Sequence, residues 1–129
     1  MSDRTRVATA AKWAKTVGYS RAVRVGRQVW VSGTAAVGAD GKIAHPGDPY
    51  LQARRCLEII VDALSQLGAT ADDVVRTRMY VLQPEHWPEV GRAHGEVFGA
   101  ALPATTMVFT GFIDPDMLVE IEAEAIIAK

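Results

Sequence analysis

The chain has one cysteine and no asparagine among its 129 residues. Cys56 therefore closes no internal disulfide, and there is no N-glycosylation acceptor, so the sequence carries no mark of an oxidising, secretory environment. A net excess of charge of either sign is also missing. The formal net charge is −1, without the basic excess that a dedicated nucleic-acid surface concentrates on one face. No stretch approaches the ~20 apolar residues of a membrane span. Residues 1–15 carry Arg4, Arg6, Lys12 and Lys15 without a continuous apolar core and do not read as a secretory signal. The expected compartment is the cytoplasm. Metal-site spacing is absent as well: His45, His86 and His94 form no HExxH, there is no CxxC, and Gly38 and Gly41 lack the Lys-Ser/Thr of a phosphate loop.

The remaining composition, 49% hydrophobic and 22% charged, is that of an ordinary soluble globular domain. A chain of this length makes one domain that buries about two-thirds of its unfolded surface. Residues 1–17 are polar and aperiodic and read as an extended arm, with the domain proper expected over 18–129. Arg21 to Val25 and Gln28 to Ser32 read as a hairpin, with Gly26 supplying the positive φ that opens a type II′ turn. Gly33 either ends the second strand or bulges it. Asp48-Pro49 is a helix start, a side-chain cap followed by a ring pre-set for helical φ, and Gly68 is the stop. Cys56, Leu57, Ile60, Ala63, Leu64 and Leu67 form its apolar stripe, which makes Cys56 a core thiol. Thr70 to Asp73 resembles a capping box. Val74 to Leu82 is a strand, with Val75, Thr77, Met79 and Val81 alternating against Arg76, Arg78 and Tyr80. A weaker helix spans Pro84 to Gly99, and a further strand spans Pro103 to Thr110.

The chain closes on its most regular stretch, Leu118 to Ile127. Val119, Ile121, Ala123, Ala125 and Ile127 make one apolar face, while Glu120, Glu122 and Glu124 stand in a row on the other. Carboxylates about 7 Å apart along one strand repel, so they need water or positive partners. They mark either a solvated sheet face or a wet cleft in which one carboxylate does chemistry. The order β-β-α-β-α-β-β predicts an α+β domain, one sheet with two helices on one face. The opposite face, with Trp30, Leu118 and Ile126 beside carboxylates, is too mixed for plain surface and points to subunit association.

Together, Gly18-Tyr19-Ser20, Val29-Trp30-Val31-Ser32-Gly33, Asp73-Val74-Val75-Arg76-Thr77, Phe98-Gly99, Pro103-Ala104 and Leu118-Val119-Glu120-Ile121-Glu122-Ala123 resemble the Rid (reactive intermediate deaminase) family, also called YjgF-like or L-PSP proteins. The resemblance implies a chorismate-mutase-like fold and a homotrimer with a central barrel and clefts between subunits. It also implies hydrolysis of 2-aminoacrylate-type enamines and imines to keto acids and ammonia, without a cofactor.

By the same resemblance, Glu120 is the acid that positions the attacking water, and Tyr19, Ser32, Thr105 and Thr106 are cleft positions. Thr105 departs from the pattern, because the deaminase branch has there an arginine that forks onto the substrate carboxylate. A threonine hydroxyl does not replace that charge-assisted clamp. Arg21, Arg76 and Arg78 are the candidates to stand in for it, although each alone reads as a surface charge on the sheet. The resulting expectation is a small-molecule enzyme acting on an enamine, an imine or a related small polar substrate. The alternative is a non-catalytic ligand-binding or regulatory trimer. RNA cleavage, also associated with the family, is disfavoured by the charge.

Overall fold

The structure, a computed structural model, describes residues 3–128. Met1, Ser2 and Lys129, the outermost residues of the expected arm and domain, lie outside the described residues. Six strands form one sheet: β1 (Arg4–Val7), β2 (Ala22–Val25), β3 (Gln28–Ala35), β4 (Val74–Val81), β5 (Ala104–Phe109) and β6 (Val119–Ile126). They lie in the order β1-β2-β3-β6-β4-β5. All neighbours are antiparallel except β4 and β5, which run parallel. A single helical turn, α1 (Ala14–Val17), precedes β2, and two longer helices, α2 (Pro49–Gln66) and α3 (Trp87–Phe98), complete the α+β domain.

The expected elements form where local chemistry dictates. Val25 pairs with Gln28 around a two-residue loop in which Gly26 has φ +61° and Arg27 does not share the positive φ; this is the type II′ pattern. Asp48 caps α2 by accepting from the Leu51 amide at 2.9 Å, with Pro49 in the first turn. Thr70 and Asp73 form the capping box that opens a short 3-10 turn before β4.

Two readings need correction. The arm is not merely extended. Arg4–Val7 pairs with β2 as a sixth strand, held by backbone hydrogen bonds rather than buried side chains, so its sequence shows no alternation. In β4 the inward residue at the start is Val74. The pairing slips between Val74 and Arg76, leaving Val75 on the outside, as a β-bulge does.

α2 packs across β3 and β6, and α3 packs beside α2. The core lies between them: Cys56, Leu57, Ile60 and Leu64 meet Val29, Val31, Val119, Ile121, Ala123 and Ala125, all buried. Burial pushes the Cys56 thiol far above its ordinary pKa, and it sits in this core. Gln52 is a polar exception at 0% exposure. Its amide nitrogen donates to the Asp116 carbonyl at 2.9 Å and the His45 carbonyl at 3.3 Å. Its oxygen accepts from the Leu118 amide at 2.9 Å, fixing the entry to β6. No helix among the described residues is long and apolar enough to cross a membrane.

Candidate functional site

The β6 glutamates all point to the sheet face opposite the helices, yet they are not equivalent. Arg78 lies opposite Glu122 and its Nη1 reaches Glu122 at 3.5 Å and Glu124 at 3.2 Å. The Tyr80 hydroxyl, although its strand partner is Glu120, donates instead to Glu122. Two of the three carboxylates are thus paired. No described residue hydrogen-bonds Glu120. Burial raises its carboxyl above the ordinary glutamate range, Arg21 pulls it down, and Glu122 raises it further, with a net upward shift.

A bulge opens the space beside Glu120. Between Val31 and Thr34, β3 spends one more residue than β6, at Ser32-Gly33, a device that re-aims side chains near functional sites. The Ser32 hydroxyl donates to the Ser20 carbonyl at 2.7 Å and keeps its lone pairs for a ligand. Gly33 is needed for its size: a Cβ there would lie 3.0 Å from the Glu120 carboxyl carbon and 3.2 Å from both oxygens. Gly33→Ala is therefore expected to displace that carboxylate, weakening ligand binding in the space beside it by about tenfold while thermal stability changes little. Equal loss of both would mean that the glycine serves folding instead.

Tyr19, Arg21, Ser32, Gly33 and Glu120 line one cavity of about 420 Å³, walled on the N-terminal side by Ala11, Trp13 and Val17. That volume suits a small metabolite. A second cavity of about 310 Å³, under residues 7–11 and against α2, shares Arg21. Arg21 corrects the reading of a surface charge. It is 9% exposed, its Nη2 donates to the Gly33 carbonyl at 2.5 Å, and its guanidinium lies 5.8 Å from the Tyr19 ring centre. Trp13 had no sequence signal beyond its aromatic character, because the fold-back of the arm places it.

Thr105 and Thr106 are not brought to this cavity within one chain. β5 stands two strands from β6, about 10 Å away. The Thr105 hydroxyl faces the helices, bonded to Thr77 Oγ1 at 2.6 Å, and Thr77 is bonded in turn to His94 Nε2 at 2.8 Å. Burial lowers the His94 pKa. Thr106 faces the other way and accepts from Arg76 Nη2 at 2.7 Å. Among the described residues, no group of three or more His, Cys, Asp or Glu is arranged to hold a metal ion.

The family model for endoribonuclease L-PSP matches residues 9–127, which includes every element of this site. The chain belongs to the L-PSP (Rid/YjgF) family. Among solved structures, this L-PSP chain is similar to Rv2704 of Mycobacterium tuberculosis, a member of the YjgF/YER057c/UK114 family. The TM-score is 0.86 and the identity 45%, over 96% of this chain and 99% of that one. It is 38% identical over 121 residues to the protein SCO2049 of Streptomyces coelicolor, covering 93% of this chain and 90% of the relative. It is also 30% identical over 107 residues to a RutC family protein of Pyrococcus abyssi, covering 83% and 84%. The mixed α+β domain with its six-stranded sheet matches the fold of the family's solved members.

Proposed function

We propose that this L-PSP chain hydrolyses the C=N bond of a small imine, or of an enamine after tautomerisation, in the cavity beside Glu120. One observation carries this reading. In a row of three like carboxylates, two are paired and the third is left half-buried, unpartnered and facing a ligand-sized space. A carboxylate with a raised pKa is the stronger base. Glu120 takes a proton from water as the oxygen adds to the C=N carbon, and that proton passes to nitrogen. The carbinolamine then collapses to a carbonyl and ammonia, so one water is consumed. Ser32 and Tyr19 supply polar and aromatic walls.

The sheet face around Glu120 also carries Trp30, 40% exposed, with Val108 and Ile126. Apolar residues among ionised ones favour a homotrimer in which this face is covered and a neighbour's β5, with Thr105 and Thr106, completes the cleft. The particle in solution is then three times the 13.9 kDa chain mass. Because Thr105 already satisfies its hydroxyl within the chain, the 2-aminoacrylate clamp of the deaminase branch finds no counterpart at that position. This favours, as the second reading, a ligand-binding trimer without turnover. A panel of small imines decides between the two. Release of ammonia above the buffer rate supports hydrolysis, whereas a ligand that raises the melting temperature and yields no product supports binding alone.

A further inference from the structure

Three neutral polar groups on the helix side of the sheet form a relay that the hydrolysis at Glu120 leaves unused. His94 Nε2 on α3 lies 2.8 Å from Thr77 Oγ1 on β4, and Thr77 Oγ1 lies 2.6 Å from Thr105 Oγ1 on β5. The two ends are 3.5 Å apart, so Thr77 is the link. Thr77 is 0% exposed, His94 is half-buried, and Thr105 is exposed on the edge strand. The relay thus starts inside and ends where a ligand can meet it. Parallel pairing sets Thr77 beside Thr105, and the Phe98 ring, 5.0 Å from the imidazole, backs the histidine.

Each hydroxyl has one proton to give, so the relay runs in one of two directions. If Nε2 is bare, Thr77 donates to it, Thr105 donates to Thr77, and Thr105 shows only lone pairs outward. If Nε2 carries the proton, both donations reverse and Thr105 points its own proton outward. Burial lowers the His94 pKa, which keeps the ring neutral at neutral pH, and a neutral ring has both tautomers open to it. Among the described residues, no charged side chain is bonded to the relay. On α3, Arg92 and Glu96 are engaged with Tyr50 and Arg54 of α2. On β4, Arg76 and Arg78 point to the opposite face, onto Thr106 and onto Glu122 and Glu124. In the 3-10 turn, Asp73 caps Thr70.

We propose that His94 is a positioning residue that acts through Thr77 to make Thr105 the receptor for an uncharged carbamoyl group of the ligand. This deepens the proposed function and rests on it for the trimer that brings Thr105 to a neighbour's Glu120. A carboxamide matches both groups at the end of the relay. With Nε2 protonated, Thr105 donates to the amide oxygen. The Pro103 carbonyl, 3.4 Å from the Thr105 oxygen, accepts from the amide N–H. A carboxylate has no N–H for Pro103 and finds no cation bonded to the relay, so it loses water without gaining a counter-charge. Ligand and histidine are therefore coupled: a bound carboxamide holds His94 in the Nε2–H form.

The test titrates butanamide and butanoate, which share one shape, into the wild type, Thr105→Ser, Thr105→Val and Thr77→Val near pH 7. Binding is followed by calorimetry, and the tautomer of His94 by nitrogen NMR of labelled histidine. Butanamide is expected to bind the wild type about tenfold more tightly than butanoate, the worth of one good hydrogen bond. Thr105→Ser should keep that preference and Thr105→Val abolish it. In the wild-type complex with butanamide, the ring should be Nε2–H. Thr77→Val keeps the shape of the link and removes its hydroxyl, so it should weaken the preference and leave a tautomer that ignores the probe. Equal binding of the two probes, a ring bare at Nε2 in the butanamide complex, or an intact preference in Thr77→Val overturns the proposal. If Thr77→Val does not fold, the wild-type tautomer and the two Thr105 variants decide. The two readings fail separately. Turnover of imines with no preference for butanamide removes the carbamoyl receptor and leaves the hydrolase. Preference for butanamide without turnover of any imine removes the hydrolase and leaves the receptor.

Discussion

Glu120→Gln is expected to lower imine hydrolysis by about 10²- to 10⁴-fold, the usual contribution of a positioned general base, while leaving the fold intact. The amide keeps the shape of the side chain and loses only its basicity. The same substitution should make the protein more resistant to urea at pH 8, and the sign follows from linkage. Burial, net of Arg21, raises the carboxyl above its ordinary range, so between the unfolded value of about 4.3 and the folded one the native state holds a proton that the unfolded chain has released. Ionised Glu120 therefore costs stability above its folded pKa, and that cost vanishes below the unfolded value. The variant should gain over the wild type at pH 8 and show no such gain at pH 4. Urea melts at the two pH values check this. A Glu120→Gln protein that is inactive because it is less stable would refute the assigned role.

Gln52→Ala is expected to have the largest effect on stability. The side chain satisfies three backbone groups, at His45, Asp116 and Leu118, from a fully buried position. Each buried group left unpaired costs roughly 1–3 kcal/mol. A total loss of about 3 kcal/mol corresponds to a fall in melting temperature of about 10 °C for a domain of this size. Because Leu118 lies two residues before Glu120, turnover measured well below the new melting temperature should fall too. A loss of stability without any change in turnover would show that the entry to β6 does not set the carboxylate's position. Thermal melts followed by circular dichroism, with rates at 20 °C, separate the two.

What the sequence could and could not reveal follows from where each residue's partners come from. The β6 alternation was legible because a strand writes its two faces into its own sequence, and Val119, Ile121, Ala123 and Ala125 are buried as read. The hairpin at Gly26 and the cap at Asp48 were legible for the same local reason. The distinction among the three glutamates was legible only through the family resemblance that points to Glu120, not from the residues themselves. It depends on Arg78 and Tyr80 arriving on β4 in a register that spares Glu120, and no local pattern encodes that register. Arg21 was hidden more deeply. Its burial comes from β1 and the following turn folding over it, and Arg4-Thr5-Arg6-Val7 shows no apolar period to announce a strand. Gln52 falls among the buried residues of α2, where a polar side chain reads as surface. Thr105 was named, but its bonds to Thr77 and through it to His94 require the parallel β4–β5 pairing that α3 bridges.

The pH dependence of kcat/KM for hydrolysis of a small imine, corrected for the buffer rate, tests the role of the Glu120 cavity most directly. The rate should rise with pH through one ionisation above the ordinary glutamate value and then level off, and that limb should be missing from Glu120→Gln. A pH-independent rate, or the same profile in wild type and variant, would contradict it.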